Sequence, residues 1–301
     1  MSSRSIIAIR TNKWTVNEQR VFDAISPFWG DDIKIVFHNR PDDFQPPCGV
    51  VDINDSLIEK MQLRIVHDWG WRCGDYAYYA LRHAYPDYDY YWLIEPDVFV
   101  SGDARAFFSL FKTEQADVIG LDVVQYNLDD PKHRFYTPVR FATHVGNATP
   151  MRAIFALTRF SGPAIDFAYK RRVNYSSRPV PPYNYANDEL FMFSHTLSRD
   201  EFKLGQFRDI APTWFSDVQF DTNPDLIDAL VEQDLKGQNK ILHPVVDRMT
   251  FARALAKRMV GRTGVLGQNK TELRALSSSE LAQLADYARD ELRNPLRAFE
   301  G

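Results

Sequence analysis

Hydrophobic residues recur along the first hundred positions in two alternating rhythms. Residues 5–10 (SIIAIR), 32–38 (DIKIVFH), 50–53 and 89–94 (DYYWLI) are short, mostly apolar runs rich in β-branched and aromatic side chains. Runs of that length and composition read as strands buried in a sheet. Between them, residues 14–25 and 75–85 repeat at the helical period, and Pro86 stops the second segment. Residues 39–43 are a turn by composition. Asn54, Asp55 and Ser56 offer caps for a helix expected to run to about residue 68. Strands alternating with helices predict an α/β fold with a mostly parallel central sheet.

The alternation continues beyond residue 100. Helices are expected over 104–111, 163–173, 188–197 and 224–235, and strands near 117–121, 151–157 and 240–242. Residues 176–185 (SSRPVPPYNY) read as loop, because their prolines exclude regular structure. After Pro244 the character changes. Residues 248–260 and 279–292 carry helical patterns with Gly and Asn between them. The predicted organisation is one domain over 1–245 followed by a helical extension over 246–301.

Composition narrows this picture. A chain of 301 residues, 45% hydrophobic, can bury one large core, and a net charge of -4 implies no general affinity for nucleic acid. Two cysteines, Cys48 and Cys73, are too few for a disulfide framework or a cysteine-ligated zinc. The apolar stretch 6–9 is too short for a secretory leader, and no run reaches membrane-spanning length. A cytoplasmic protein is therefore expected. Residues 248–262 carry Arg248, Arg253, Lys257, Arg258 and Arg262 without an acid, interleaved with apolar residues. Such a helix is expected to admit peripheral contact with the anionic inner face of a membrane. The same pattern fits a helix that packs its apolar side on the protein and solvates its basic side.

The densest candidate chemistry lies at 90–98 (YYWLIEPDV). In open α/β sheets ligands bind beyond the carboxyl ends of the strands. Residues i and i+2 of an extended segment point the same way, so Glu95 and Asp97 can face one point, with Pro96 stiffening the turn. Two carboxylates on one point suit Mg²⁺ or Mn²⁺. Such an ion can bridge a diphosphate and stabilise its charge as it leaves. An acidic turn after a buried strand would look the same in isolation, because E-x-D is a common pattern.

An apolar strand followed by Glu95-Pro96-Asp97-Val98 and then Ser101-Gly102-Asp103 resembles the D-x-D region of GT-A glycosyltransferases, with Glu in place of the first Asp. The resemblance implies that Glu95 and Asp97 hold a metal and the donor diphosphate. It also implies donor contacts from Arg10, and from Arg72 and Asp75 in the upstream block Trp71-Arg72-Cys73-Gly74-Asp75, although Asp75 would equally serve a helix start. Asn187-Asp188-Glu189 is similar to the acidic pair that heads a helix along the acceptor cleft of the family. In inverting members one such carboxylate is the general base, here Glu189 in preference to Asp188. Acids also favour a helix N-terminus for electrostatic reasons alone. Residues 240–245 (KILHPV) resemble the His-Pro segment in which a histidine, here His243, completes the metal site.

The resemblance rests on the order of these motifs over about residues 5–245. It implies a GT-A fold and a Mn²⁺- or Mg²⁺-dependent, inverting, hexosyltransferase-like enzyme. The donor would be a nucleoside-diphosphate sugar, a UDP-sugar first. The acceptor would be a saccharide or glycoconjugate of the kind used in bacterial polysaccharide synthesis. A sugar nucleotidyltransferase shares the fold and the metal logic, but usually has a Gly-rich loop after its first strand; here residues 10–14 (RTNKW) contain no glycine. A glycoside hydrolase needs two carboxylates flanking a sugar rather than sharing a metal point. A non-catalytic carbohydrate-binding protein on the same fold would lack the slow donor hydrolysis of a transferase.

Overall fold

In the computed structural model the described residues are 3–126, 148–179, 185–221, 225–260, 275–283 and 285–286. The chain forms two units, Met1–Asp247 and Arg248–Gly301. In the first, β1 (Ser5–Thr11), β2 (Ile33–His38), β3 (Gly49–Ile53), β4 (Tyr90–Ile94), β6 (Val118–Gln125), β7 (Met151–Ser161) and β8 (Leu204–Gln206) form a seven-stranded sheet in the order β3-β2-β1-β4-β7-β6-β8. β1 runs parallel to β2 and β4, β2 to β3, and β6 to β8, while β7 is antiparallel to both its neighbours. The α/β class and the mostly parallel sheet expected from the hydrophobic pattern are what the chain adopts.

The continuous apolar runs follow from burial on both faces of the sheet. Along β1, Ile6 and Ala8 face one core and Ile7 and Ile9 the other. Along β4, Tyr91 and Leu93 face the first core and Trp92 and Ile94 the second. Helix α1 (Val16–Trp29) opens with a capping box in which Thr15 and Glu18 satisfy each other's exposed amides. Its Val21, Ile25 and Trp29 join the second core.

Asn54 caps α2 (Asp55–Lys60) through a bond from Leu57 N–H, as its side chain predicts. The helix nevertheless ends at Lys60, well short of residue 68. Gln62 takes a left-handed backbone (φ 57°) and Leu63 N–H returns to the carbonyl of Ile58, which closes the helix in a Schellman-type turn. The chain then enters a separate short helix, α3 (Trp69–Arg72), before α4 (Asp75–Ala84). Later helices include α5 (Ala104–Ser109), α6 (Gly162–Ser176) and α7 (Asp188–Leu197). The helix expected over 224–235 is a two-residue strand, β9 (Leu226–Ile227), and then a helix confined to Asp228–Asp234; position 224 lies outside the described residues.

In the second unit, helix Arg248–Val260 has the bounds that its pattern predicts. Ser277 and Glu280 cap a short helical stretch near residue 280. The remainder of the helix expected over 279–292, and the apolar side chains of 255–260, lie outside the described residues. No helix among the described residues is long and apolar enough to cross a membrane.

Candidate functional site

The sheet order creates the crevice. From β1 the chain builds outward through β2 and β3, then returns to the other side of β1 with β4. The carboxyl ends of β1 and β4 therefore diverge at a topological switch point, where open α/β sheets bind ligands. Ile9 is in register with Ile94, so Arg10, the next residue of β1, and Glu95, the first residue after β4, stand side by side.

An Arg10 guanidinium nitrogen is tightly hydrogen-bonded to Glu95 Oε1, and the other terminal nitrogen donates to Asp188 Oδ2 at 3.1 Å. Burial alone would lower the Arg10 pKa, but Glu95 and then Asp188 outweigh it and raise it, so Arg10 is a fixed cation. Gly74 completes this corner. Its N–H donates to Asp188 Oδ2 at 2.9 Å, and a Cβ there would stand 1.4 Å from an Arg10 nitrogen. Only glycine allows that approach.

His243 reaches the same point from the far end of the unit. β5 (Phe99–Ser101) pairs antiparallel with β10 (Lys240–Leu242), Leu242 opposite Phe99, so the residues after β10 run back beside the turn before β5. Val245 N–H then donates to the Asp97 carbonyl at 2.7 Å. The His243 backbone is held on its other side by Gln219 and Asp221, at 3.1 Å each. Its Nε2 lies 3.4 Å from Asp97 Oδ1 and 4.0 Å from Glu95 Oε2. Together Glu95, Asp97 and His243 offer ligand atoms all within 4.8 Å of one another.

The hydrogen bonds fix the chemistry of this trio. His243 Nδ1 is 2.6 Å from the Asp221 carbonyl, which can only accept, so Nδ1 carries a proton. In the neutral ring Nε2 is then a bare lone pair facing two carboxylates. That arrangement is favourable only with a cation, or a proton, between them. Asp97 Oδ1 is buried without a hydrogen-bond partner, the 3.4 Å approach of His243 lacking hydrogen-bond geometry. The titrations respond to the same field. Burial lowers the His243 pKa, but Asp97, then Glu95, outweigh it, and the net shift is upward. Burial pushes the Glu95 carboxyl up, against the pull of Arg10. Burial pushes Asp97 up too, but His243 overrides it and holds Asp97 low. Glu95, Asp97 and Asp188 against Arg10 leave an excess of negative charge, and the two oxygens and one imidazole nitrogen are a donor set that Mn²⁺ and Mg²⁺ accept.

Asp188 and Glu189 head α7, after the extended Asn187. Asp188 is buried and spent on structure: Oδ2 accepts from Arg10 and Gly74, and Oδ1 from the N–H of Glu189. Glu189 is half-buried and accepts from the Asn187 side-chain amide. Burial first, and then Asp188, push its carboxyl well above the usual range. Asn187 Oδ1 is buried without a hydrogen-bond partner.

Two residues expected at the donor are engaged by partners outside the Glu95–Asp97–His243 group. Asp75 is wholly enclosed. Its carboxylate takes bonds of 2.6 and 2.8 Å from Arg172 of α6 and one from the Tyr79 hydroxyl. No face of it is left for a ligand, which corrects its assignment to the donor. Arg172 also donates to the Ala186 carbonyl at 3.0 Å, so the buried pair fixes the backbone just ahead of Asp188. Arg72 pairs with Asp68 at 2.7 Å and reaches the Tyr185 carbonyl at 3.4 Å, outside the Glu95–Asp97–His243 group. Gly74 and Asn187 are contributors that sequence reasoning left without roles of their own. Both flank a quoted motif, and only the tertiary contacts reveal what they do.

No protein-family model matches the sequence, and no curated protein does. Among solved structures the chain is similar to the galactosyltransferase LgtC in complex with donor and acceptor sugar analogues, with 10% identity and a TM-score of 0.42 over 75% of this chain and 76% of that one. It is similar to a glycosyltransferase involved in glycosylation of the major capsid of PBCV-1, with 7% identity and a TM-score of 0.39 over 83% and 98%. It is also similar to a putative glucose-1-phosphate thymidylyltransferase from Bacillus anthracis, solved with sucrose, with 10% identity and a TM-score of 0.36 over 68% and 87%.

Proposed function

We propose that this chain is a GT-A-type glycosyltransferase that moves a sugar from a nucleoside-diphosphate sugar, a UDP-sugar first, to a saccharide or glycoconjugate acceptor with inversion at the anomeric carbon. The observation that carries the reading is the convergence of His243 Nε2 with the Glu95 and Asp97 carboxylates at the switch point of the sheet, their ligand atoms all within 4.8 Å of one another. Glu95, Asp97 and His243 would hold Mn²⁺ or Mg²⁺, which when bound would neutralise the diphosphate as it leaves. Arg10 supplies a second, permanent positive charge beside it. Glu189 takes the acceptor hydroxyl proton, and Asp188 holds Arg10 in place. The glycine-free stretch after β1 disfavours nucleotidyl transfer. The basic helix Arg248–Val260 is the element that would meet an anionic membrane surface or an anionic acceptor.

Thermal-shift measurements with UDP, GDP and CDP, each with and without Mn²⁺, test this reading. UDP with Mn²⁺ is expected to raise Tm. A ligand at a hundred times its Kd adds about 2.7 kcal/mol. Asp97→Ala is expected to remove the Mn²⁺-dependent part and keep the fold. If none of the three nucleotides shifts the wild type in Mn²⁺, the donor reading is wrong.

The pH dependence has a definite sign. His243 holds its proton more tightly when folded than its ordinary value of 6.5 allows. Metal-free protein should therefore be stabilised below about pH 6.5 and lose that stabilisation as pH rises through the shifted value. Mn²⁺ affinity should run the other way, rising with pH over the same window as the proton leaves Nε2. A Mn²⁺ affinity that is flat between pH 6 and 8 would remove His243 from the ligand set.

A further inference from the structure

Helix α1 presents Arg20 to both turns that carry the candidate ligands. Arg20 Nη2 donates to the Val245 carbonyl at 2.8 Å, in the turn after His243, and approaches the Pro96 carbonyl at 3.5 Å, between Glu95 and Asp97. Nη1 donates to Asp228 Oδ2 at 3.2 Å. The guanidinium lies over the ring of Phe99, the first residue of β5, and the side chain is only 22% exposed. One planar cation thus spans the Glu95–Asp97 turn and the His243 turn, and Asp228 holds it from behind.

Those turns meet through short strands, β5 and β10 of three residues each, and through the bond from Val245 N–H to the Asp97 carbonyl. Pairing this brief leaves their relative position weakly determined. Metal affinity depends on ligand atoms being held in place before the ion arrives, and outer groups that orient ligands contribute strongly to it. A rigid fork with several donors can bind two carbonyls and a carboxylate at once, whereas a lysine offers a point charge on a flexible stem.

We propose that Arg20, anchored by Asp228, is the positioning residue of the metal site and locks the His243 turn against the Glu95–Asp97 turn. It acts through the main-chain carbonyls of Pro96 and Val245; its hydrogen bonds reach none of the three ligand side chains, and of those three only Asp97 feels its charge. The inference rests on the metal reading of Glu95, Asp97 and His243.

Calorimetric titration of Mn²⁺ alone into the full-length protein tests it, with the electron paramagnetic resonance spectrum of bound Mn²⁺ as a second readout. The variants are Arg20→Gln, Arg20→Lys and Asp228→Asn. The control is Arg82→Gln, which removes a similarly half-buried arginine paired with Asp166 at 3.0 Å, away from the site. Arg20→Gln is expected to weaken Mn²⁺ binding by about 10–100-fold and to broaden its spectrum. Arg20→Lys and Asp228→Asn should lose less in the same direction, and they carry the test if the glutamine variant fails to fold. Arg82→Gln should bind Mn²⁺ like the wild type even where its Tm falls equally. Unchanged binding in the Arg20 variants overturns the proposal, and so does an equal loss in Arg82→Gln, which would mean general softening. A wild type that binds no Mn²⁺ overturns the metal reading and this inference with it, a result distinguishable because wild-type binding stays intact in the other cases.

Discussion

The Glu189→Gln enzyme is expected to turn over about 10²–10⁴-fold more slowly than the wild type at saturating donor, with Mn²⁺ affinity unchanged. An acceptor hydroxyl must lose a proton as it attacks the anomeric carbon, and the group that takes it must be positioned and suitably basic. Glu189 meets both conditions. It sits at the head of α7, oriented by the Asn187 amide, and burial with Asp188 beside it raises its carboxyl well above 4.5. A base is most effective when its pKa approaches the working pH. Turnover should therefore rise with pH through an apparent value above the ordinary carboxylate range, and that limb should vanish in Glu189→Gln. Asp188→Asn should behave differently. It weakens the grip on Arg10 and should raise the donor KM as well as lower kcat, because Asp188 supports the donor side through Arg10 and Gly74. Near-normal turnover in both variants would exclude either carboxylate as the base. A product that keeps the donor's anomeric configuration, read by NMR, would remove the need for one.

How far the site was legible depended on the range of the interactions that build it. β1 and β4 were plain in the sequence because burial on two faces leaves a continuous apolar run, and Glu95 and Asp97 inherit their place from the end of such a run. The Asn54 cap was legible because a cap is a local bond, from Leu57 three residues on. The end of the same helix was not, because it turns on Gln62 entering the left-handed region, for which glutamine gives no signal. Asp75 shows the opposite hazard. An acid in the first turn of a helix, beside a recognisable block, reads as functional or as helix chemistry. Its actual partner, Arg172, comes from a helix on the far side of β4 and β7 in the chain order. His243 was reached through its His-Pro context, yet what carries it to Asp97 is the pairing of β5 with β10, strands too short to show any period.

The buried pair beneath the site should dominate the stability of the first unit. Arg172 and Asp75 have fully buried side chains, and the guanidinium is surrounded by Tyr76, Tyr175, Tyr185 and Phe191, the last with its ring centre 4.0 Å away. In such surroundings the attraction between the charges chiefly offsets the cost of removing both from water. Loss of one partner leaves the other charged, buried and unmatched. Arg172→Met is therefore expected to destabilise the protein by about 3–5 kcal/mol, measured as a drop in the urea midpoint at constant slope. Asp75→Leu should cost a similar amount, because it strands the guanidinium. The double variant should recover much of the loss, since an apolar pair of similar volume needs no compensation. The recovery should be incomplete in one respect. Arg172 also satisfies the Ala186 carbonyl, two residues before Asp188, and methionine cannot. The double variant should then fold with nearly wild-type stability yet hold Asp188 and Glu189 less firmly, lowering kcat without weakening Mn²⁺ binding. If the double variant is as unstable as the sum of the singles, the pair is not compensating for its own burial. If it regains full turnover, the Ala186 bond plays no part in positioning the head of α7.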